Sequence, residues 1–327
     1  MIAVSIQIAR QVAPADINKT CDIIAEAVML SMRPKRKVLG IVSLSNNQLN
    51  VFSSDAENDC SETIVNTWQS LHFNPCPNIS VQILPSDESQ LDLRGADDTG
   101  IAWGYATTDT PEFLPIPYMI ATKILQKLHN SSSSLVTGVG QAVVAYNPEL
   151  RAVQDCSLLI EHIPSITPSD IQDMIQGFAN QAASEYGIPT FPIQLNPYGP
   201  VVPQDSPFGR SGVCLDGDTV IGQSHPLDGN WGILRCGTYF ARHIAKECVR
   251  RGYATQCKIG LSFIQGETIP SAMSVYTYNT ERSQDIFSQI QSEWGLTPVS
   301  QIMDMYHYPS HPMILGHFTS SDYQWEM

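Results

Sequence analysis

Two adjacent carboxylates, Asp97 and Asp98, sit between glycines in "GADDTG", followed closely by Trp103 and Tyr105 and by prolines 111, 115 and 117. Ionised carboxylates accept charge-assisted hydrogen bonds and attract cations, and aromatic rings offer stacking faces. The stretch therefore reads either as part of a binding site or as a turn in which the aspartates cap backbone N–H groups and Trp103 packs into a core. A second pairing, His225 with Asp228 in "SHPLDG", has the residue types for proton transfer, although a loop histidine is also a common surface residue. Lys19 falls in the first turn of an expected helix, either as a solvated side chain or as a working cation. His307 and His311 have i, i+4 spacing, but "MYHYPSHP" contains proline and reads as loop, which weakens a metal reading.

The composition narrows what such groups can act on. With 327 residues, 43% apolar and 15% charged, the chain can bury a substantial core and is not disordered. No apolar run reaches the roughly 18 residues of a transmembrane helix, and the first residues lack the basic and apolar regions of a signal peptide. A cytoplasmic protein with no membrane partner is expected. The net charge of −14 argues against a nucleic-acid partner, because phosphate binding needs a basic surface. The eight cysteines have no CxxC or regular spacing, so reduced core thiols are expected rather than disulfides or zinc.

Helices are expected where apolar residues recur every three or four positions: from Asp16 to about Met32, at "SETIVNTWQSLHF", over 116–129, at "SDIQDMIQGFANQAASEYG", at "CGTYFARHIAKECVRRG" and at "SQDIFSQIQSEWG". Strands are expected at "KVLGIVSL" and "LNVF" around an "SNNQ" turn, at "GQAVVAY" and "CSLLIEHI", and at "QCKIGLSFIQG" and "SAMSVYTYN". Residues 196–230 lack periodicity and read as one long loop, and Ser131 to Ser134 as a linker. Strand pairs followed by a helix occur three times, which points to three α+β domains at 1–90, 91–203 and 204–327. A sheet covered by helices on one face leaves the other to a partner, so an oligomer is expected.

Five collinear segments then acquire a common explanation. "GADDTGIAWGYATTDTPEFLPIP" resembles "GAGDQG…FGYATNET…MPxP" of the S-adenosylmethionine synthetases (methionine adenosyltransferases). "KTCDIIAEAV" resembles their "KICDQISDAV" and "NPYGP" their "NPTGR"; the stretch from "FARHIAKECVRRG" to "SAMSV" and the terminal "GHFTSSDYQWE" also have counterparts. The resemblance implies three similar α+β domains about a pseudo-threefold axis, dimerising through sheet faces with active sites at the interface. It also implies a reaction in which the methionine sulfur attacks the ribose 5′ carbon of ATP and the triphosphate is hydrolysed with Mg²⁺ and K⁺. Expelling triphosphate requires a cage of cations and metals.

Against that pattern the cage is depleted. The family's "GHPDK" corresponds to "ADINK", with Asp16 at the histidine, Asn18 at the metal-binding aspartate and Lys19 kept. The K⁺-binding glutamate position is Ile41, the "DAKSQ" lysine falls near Val139, and the "LTGRK" basic pair aligns with Val213 and Cys214. A shorter "GQSHPLDGNWG" stands for the phosphate loop, with Arg210 and Arg235 the nearest remaining cations. Mg²⁺ and K⁺ would thus lack most of their ligands.

The organic half of the family site is better kept. Asp98 matches the aspartate facing methionine and nucleoside, and Asp55 stands for the methionine-facing glutamate. Val201 and Gln265 occupy the adenine-sandwich positions, with Trp103, Tyr105 or Trp231 available to stack. The expectation is a homodimer that binds S-adenosylmethionine or a related adenosyl or sulfonium compound. It would act by elimination, cyclisation or transfer, with Asp16, Lys19, His225 and Asp228 as candidate catalytic residues. Two other readings remain: a working methionine adenosyltransferase with relocated cations, and an inactive regulatory partner of a competent synthetase.

Overall fold

The computed structural model describes residues 6–31, 40–53, 60–72, 74–83, 95–205, 207–212, 215–216, 218–219, 225–226, 232–278, 283–305, 313–314 and 316–327. Seven helices and fourteen strands occur among them. The first half runs β1 (Gln7–Val12), α1 (Ile17–Ser31), β2 (Gly40–Ser45), β3 (Gln48–Ser53), α2 (Ser61–Leu71), β4 (Asn78–Ile83), β5 (Gly100–Thr107), α3 (Ile116–His129), β6 (Val136–Asn147), β7 (Ala152–His162) and α4 (Pro168–Glu185). The second runs β8 (Gln194–Leu195), β9 (Gly209–Arg210), β10 (Leu215–Asp216), β11 (Asp218–Thr219), β12 (His225–Pro226), α5 (Ile233–Arg250), β13 (Gln256–Phe263), β14 (Ala272–Tyr278), α6 (Ser283–Trp294) and α7 (Val299–Met305), with a final 3₁₀ turn at Gln324–Glu326.

The expected helices form close to their sequence limits because their apolar faces find sheets. α1 starts where Asp16 caps it, its Oδ1 accepting the Asn18 N–H at 3.1 Å. α4 and α5 are followed by Gly187 and Gly252, both at positive φ, where a helix runs out into a left-handed residue. The "SNNQ" turn joins β2 to β3 with Asn46 and Asn47 both at positive φ, the backbone of a tight hairpin. The 196–230 segment is not all loop: β9 to β12 lie within it, and each is a two-residue pairing too short for periodicity to reveal. β1, β4 and β5 were also not legible as strands.

The strands assemble as β11-β1-β6-β7-β8, β14-β13-β5, β4-β3-β2-β9 and the two-stranded β10-β12. Sheet partners cross the sequence boundaries at 90/91 and 203/204. β1 pairs with β6, β5 pairs with β13 along its whole length, and β9 returns to β2. The apolar core follows this exchange. One buried cluster joins α1, α2 and their sheet to α5, β13 and the C-terminal residues; a second fills the space between the β1-β6-β7 sheet and α3 with α4. β5 presses so closely on α5 that a Cβ on Gly104 would lie 2.1 Å from the Ala241 carbonyl carbon, so only glycine fits there.

α5 carries a buried charge network that ties these parts together. Arg242 is fully buried, and all five of its N–H donors are used: Nε and Nη2 on the Glu326 carboxylate at 2.7 and 2.8 Å, and the rest on the carbonyls of Tyr105, Phe113 and Glu112 at 2.7–2.9 Å. Lys246 adds a second cation against Glu326. Two turns earlier Arg235 pairs with Glu26 of α1 at 2.5 Å and donates to the Tyr239 hydroxyl at 2.9 Å. Tyr239 stacks on Trp325 with centroids 3.8 Å apart.

The opposite faces of the sheets carry apolar side chains in the open: Ile101 (59% exposed), Tyr276 (50%) and Tyr278 (47%) on the β14-β13-β5 sheet, with Ile8, Val143 and Leu159 on the larger one. Among the described residues, no helix is long and apolar enough to cross a membrane. The seven cysteines among the described residues are free thiols, six of them buried.

Arg242→Met leaves Glu326 and three carbonyls without their donors, and removing one partner of a buried pair costs about 3–5 kcal/mol. Urea unfolding is expected to show a loss of that order, partly recovered in Arg242→Met/Glu326→Leu; a single variant within about 1 kcal/mol of the parent contradicts the role given to this network.

Candidate functional site

The "GADDTG" segment forms a turn docked on the loop after β13. Ala96 N–H donates to the Glu267 carbonyl and Gly266 N–H to the Ala96 carbonyl, both at 2.8 Å. A Cβ on Gly95 would lie 2.3 Å from the Gly266 oxygen, so the docking requires glycine there. The two aspartates then part company. Asp97 turns inward and accepts the Ile233 N–H at 2.8 Å, capping α5. Asp98 stays exposed, with Oδ1 accepting the Thr99 N–H at 2.7 Å. The Thr99 hydroxyl accepts the Gln265 N–H at 2.9 Å, which brings Gln265 beside Asp98.

β5 continues from this turn. Strand alternation puts Ile101 and Trp103 on the open sheet face, where the Lys258 ammonium lies 4.7 Å from the Trp103 ring and Tyr276 lies 6.4 Å away. Trp103 is thus not a core residue. Tyr105 corrects the stacking expectation: it is 1% exposed, and burial pushes its phenol far above the ordinary range, with Asp109 adding to the shift. A ligand cannot stack on a ring already enclosed.

A second group gathers around the start of α1 and the end of β7. Asp16 lies near Glu161 of β7. Burial pushes the Glu161 carboxyl above its ordinary range; the hydrogen bond from Thr137 opposes that, and the negative charge of Asp16 adds to it. The Thr137 hydroxyl donates to Glu161 Oε1 at 2.7 Å. The adjacent His162 N–H donates to the Val201 carbonyl at 2.9 Å, which places Val201 here and apart from Gln265. Among the described residues no ion pair neutralises Asp16 or Glu161. Glu161 was missed from the sequence, although a carboxylate at an outward position of an apolar strand was a signal that could have found it.

Lys19 does not join these carboxylates. It is 2% exposed and lines a cavity with Gln11 and Thr122 on the side of β1 that α3 covers, whereas Glu161 belongs to the open face. Asn18, at the metal-ligand position, is committed to the backbone: its Oδ1 accepts the Arg210 N–H at 3.1 Å and anchors β9 on α1. Arg235, expected as a spare cation, is spent on Glu26. The described residues therefore do not fit the Mg²⁺ and K⁺ sites that the family resemblance implied, and no group of three or more His, Cys, Asp or Glu side chains gathers among them. His225 lies in β12, with its backbone opposite Asp216. Asp55, Asp228, Val213, Cys214, Trp231, His307 and His311 lie outside the described residues.

Comparison with known proteins agrees with this topology. The S-adenosylmethionine synthetase central domain matches residues 93–199 and the C-terminal domain of the same enzymes matches residues 231–327, together more than half of the chain. An S-adenosylmethionine synthase of Mycoplasma pneumoniae is 23% identical over 98% of this chain and 92% of its own length. One from Synechococcus sp. (strain JA-3-3Ab) is 27% identical over 85% of this chain and 76% of its own. The chain belongs to the S-adenosylmethionine synthetase family.

The Glu161 shift predicts a pH dependence with a definite sign. Its pKa is raised on folding from about 4.5, so the native state holds the proton more tightly, and stability falls as pH rises through the folded value. Glu161→Gln keeps an acceptor for Thr137 and removes the ionisation. Calorimetric Tm values for variant and parent are expected to agree near pH 4 and to diverge in favour of the variant as pH rises through the folded value; parallel curves throughout contradict the assignment.

Proposed function

We propose that this member of the S-adenosylmethionine synthetase family binds S-adenosylmethionine, or a closely related adenosyl or sulfonium compound, and acts on it instead of making it. The observation that carries this reading is the Asp16 and Glu161 carboxylate pair. Where the resemblance places a histidine of the family's triphosphate cage, this chain has Asp16, whose charge also acts on Glu161, and repulsion between such an acid and a polyphosphate is worth on the order of several kcal/mol. The same acids suit a sulfonium or ammonium group.

The chemistry follows from what such residues can do. The Asp98 and Gln265 corner would hold the amino-acid or nucleoside part, with Trp103 on the adjoining face. A raised carboxyl such as Glu161 has the proton affinity of a general base. The base takes a proton from the carbon next to the one bonded to sulfur; the C–H electron pair becomes a carbon–carbon double bond as the C–S bond breaks, the C–S pair goes to sulfur, and a neutral thioether leaves.

The two groups of residues lie on different sheets, and among the described residues no hydrogen bond or ion pair joins them. The exposed apolar faces bearing Ile101, Tyr276 and Tyr278 support a homodimer in which one protomer's Asp98 corner meets its partner's Asp16 and Glu161. Light scattering is expected to give a dimer, and Ile101→Lys/Tyr276→Asp to give a monomer that has lost ligand binding. A parent monomer that binds S-adenosylmethionine fully would sink the shared-site arrangement.

The deciding experiment is calorimetric titration with S-adenosylmethionine, with ATP and Mg²⁺, and with methionine, followed by mass spectrometry of each mixture. Binding of S-adenosylmethionine without ATP is expected, weakened about tenfold by Asp98→Asn, a loss of about 1.4 kcal/mol. Production of S-adenosylmethionine from ATP and methionine would overturn the reading in favour of a synthetase with relocated cations. Inertness towards every ligand, with capture of a competent synthetase, would favour a regulatory subunit.

A further inference from the structure

Two buried thiols meet where α5 turns back into β13. Cys248 lies near the end of α5 and Cys257 near the start of β13. The connection between them is tight: Gly252 takes a positive φ of 71°, and the Tyr253 N–H returns to the Cys248 carbonyl at 3.0 Å. Both side chains are 0% exposed and belong to one apolar cluster. Within it the Cys257 thiol donates a hydrogen bond to the Cys248 sulfur.

That contact makes the pair unequal. The hydrogen bond from Cys257 holds the Cys248 thiol below its ordinary range in spite of burial, and the positive charge of Arg251 acts in the same direction. The same bond, with burial, pushes Cys257 far above its ordinary range, so it keeps its proton. Elsewhere burial alone dominates, and it pushes Cys156 and Cys236 up to about 12. A thiol that ionises readily beside one that does not is the arrangement of an attacking and a resolving cysteine. The turn that covers them is thin: Arg251, Gly252 and Thr255 are exposed, and a helix end opens more readily than a helix centre.

We propose that Cys248 and Cys257 form an oxidation site, closing to a disulfide when the folded protein meets hydrogen peroxide and so stapling the end of α5 to β13. Cys248 Sγ attacks one peroxide oxygen and the O–O bond breaks. The departing hydroxide takes the proton that the Cys248 thiol gives up and leaves as water, and Cys248 becomes a sulfenic acid. Cys257 Sγ then attacks the Cys248 sulfur, the S–O bond breaks, and the hydroxide leaves as a second water with the Cys257 proton. Two thiols are oxidised and one peroxide is reduced. The site is separate from the Asp98 and Glu161 groups and does not depend on the function proposed above.

The test uses the purified full chain, reduced, freed of reductant and exposed while folded to hydrogen peroxide at an excess that oxidises glutathione fully in the same buffer. The protein is then denatured in N-ethylmaleimide and digested. Cys248 and Cys257 are expected to escape alkylation, and mass spectrometry is expected to find their peptides joined with the loss of two hydrogens, a link that dithiothreitol reverses. Cys257→Ala removes the resolving thiol, so dimedone, which labels sulfenic acids, is expected to capture Cys248 in that variant. Full alkylation of both cysteines in the peroxide-treated parent overturns the proposal, a readout that stands even if Cys257→Ala does not fold. So does a folded Cys257→Ala whose Cys248 stays an unoxidised thiol.

Discussion

A guanidinium without contact with water dictates much of this structure. Arg242 must satisfy five N–H donors inside the protein, and it does so by drawing together the carbonyl of Tyr105 from β5, those of Glu112 and Phe113 from the turn leading to α3, and the carboxylate of Glu326 near the end of the chain. Leaving any of these unmet would cost more than most single contacts contribute. The consequence is geometric. β5 is fixed on α5, the C-terminal residues are fixed beside it, and the "GADDTG" turn at the start of β5 inherits that rigidity. Asp97 reinforces the arrangement by capping the same helix. Asp98 can therefore remain at the surface on a backbone that does not need it for stability.

The second constraint is electrostatic. An S-adenosylmethionine synthetase site must attract a polyphosphate, and three residues near the positions that the resemblance assigns to that task have other partners or surroundings here. Asn18 anchors a backbone N–H, Arg235 neutralises Glu26 in the core, and Lys19 lies on the covered side of a sheet. What faces outward near Asp16 is another acid, Glu161, whose burial already disfavours its charge. A small cationic ligand relieves that repulsion, and a polyanion worsens it.

Much of the secondary structure was readable before any coordinates. α1, α4 and α5 have apolar residues at helical spacing with a capping aspartate or a following glycine, and the paired asparagines mark the β2-β3 hairpin. β1 and β5 were not readable, because β5 reads "GIAWGYAT", with glycines and alanines where it meets α5 and no clean alternation. The Gly104 contact with Ala241 gives the cause: small residues are there for close approach, and small residues carry no period. The two-residue strands between 209 and 226 are set wholly by their partners.

The sequence by itself determined the family and the α+β class, because these are matters of residue identity and order. It also singled out Asp98 and Gln265, whose loops are joined where the Thr99 hydroxyl accepts the Gln265 N–H. Only the tertiary structure decided which chemically suggestive residues are free to act. It buried Tyr105, placed Trp103 beside Lys258 on an open face, buried Lys19 and brought the charge of Asp16 to bear on Glu161 from across the chain. The reason is physical: a residue's type fixes what it can bond to, but burial and long-range strand pairing fix what it meets, and β1 meets β6 across more than a hundred residues of intervening chain.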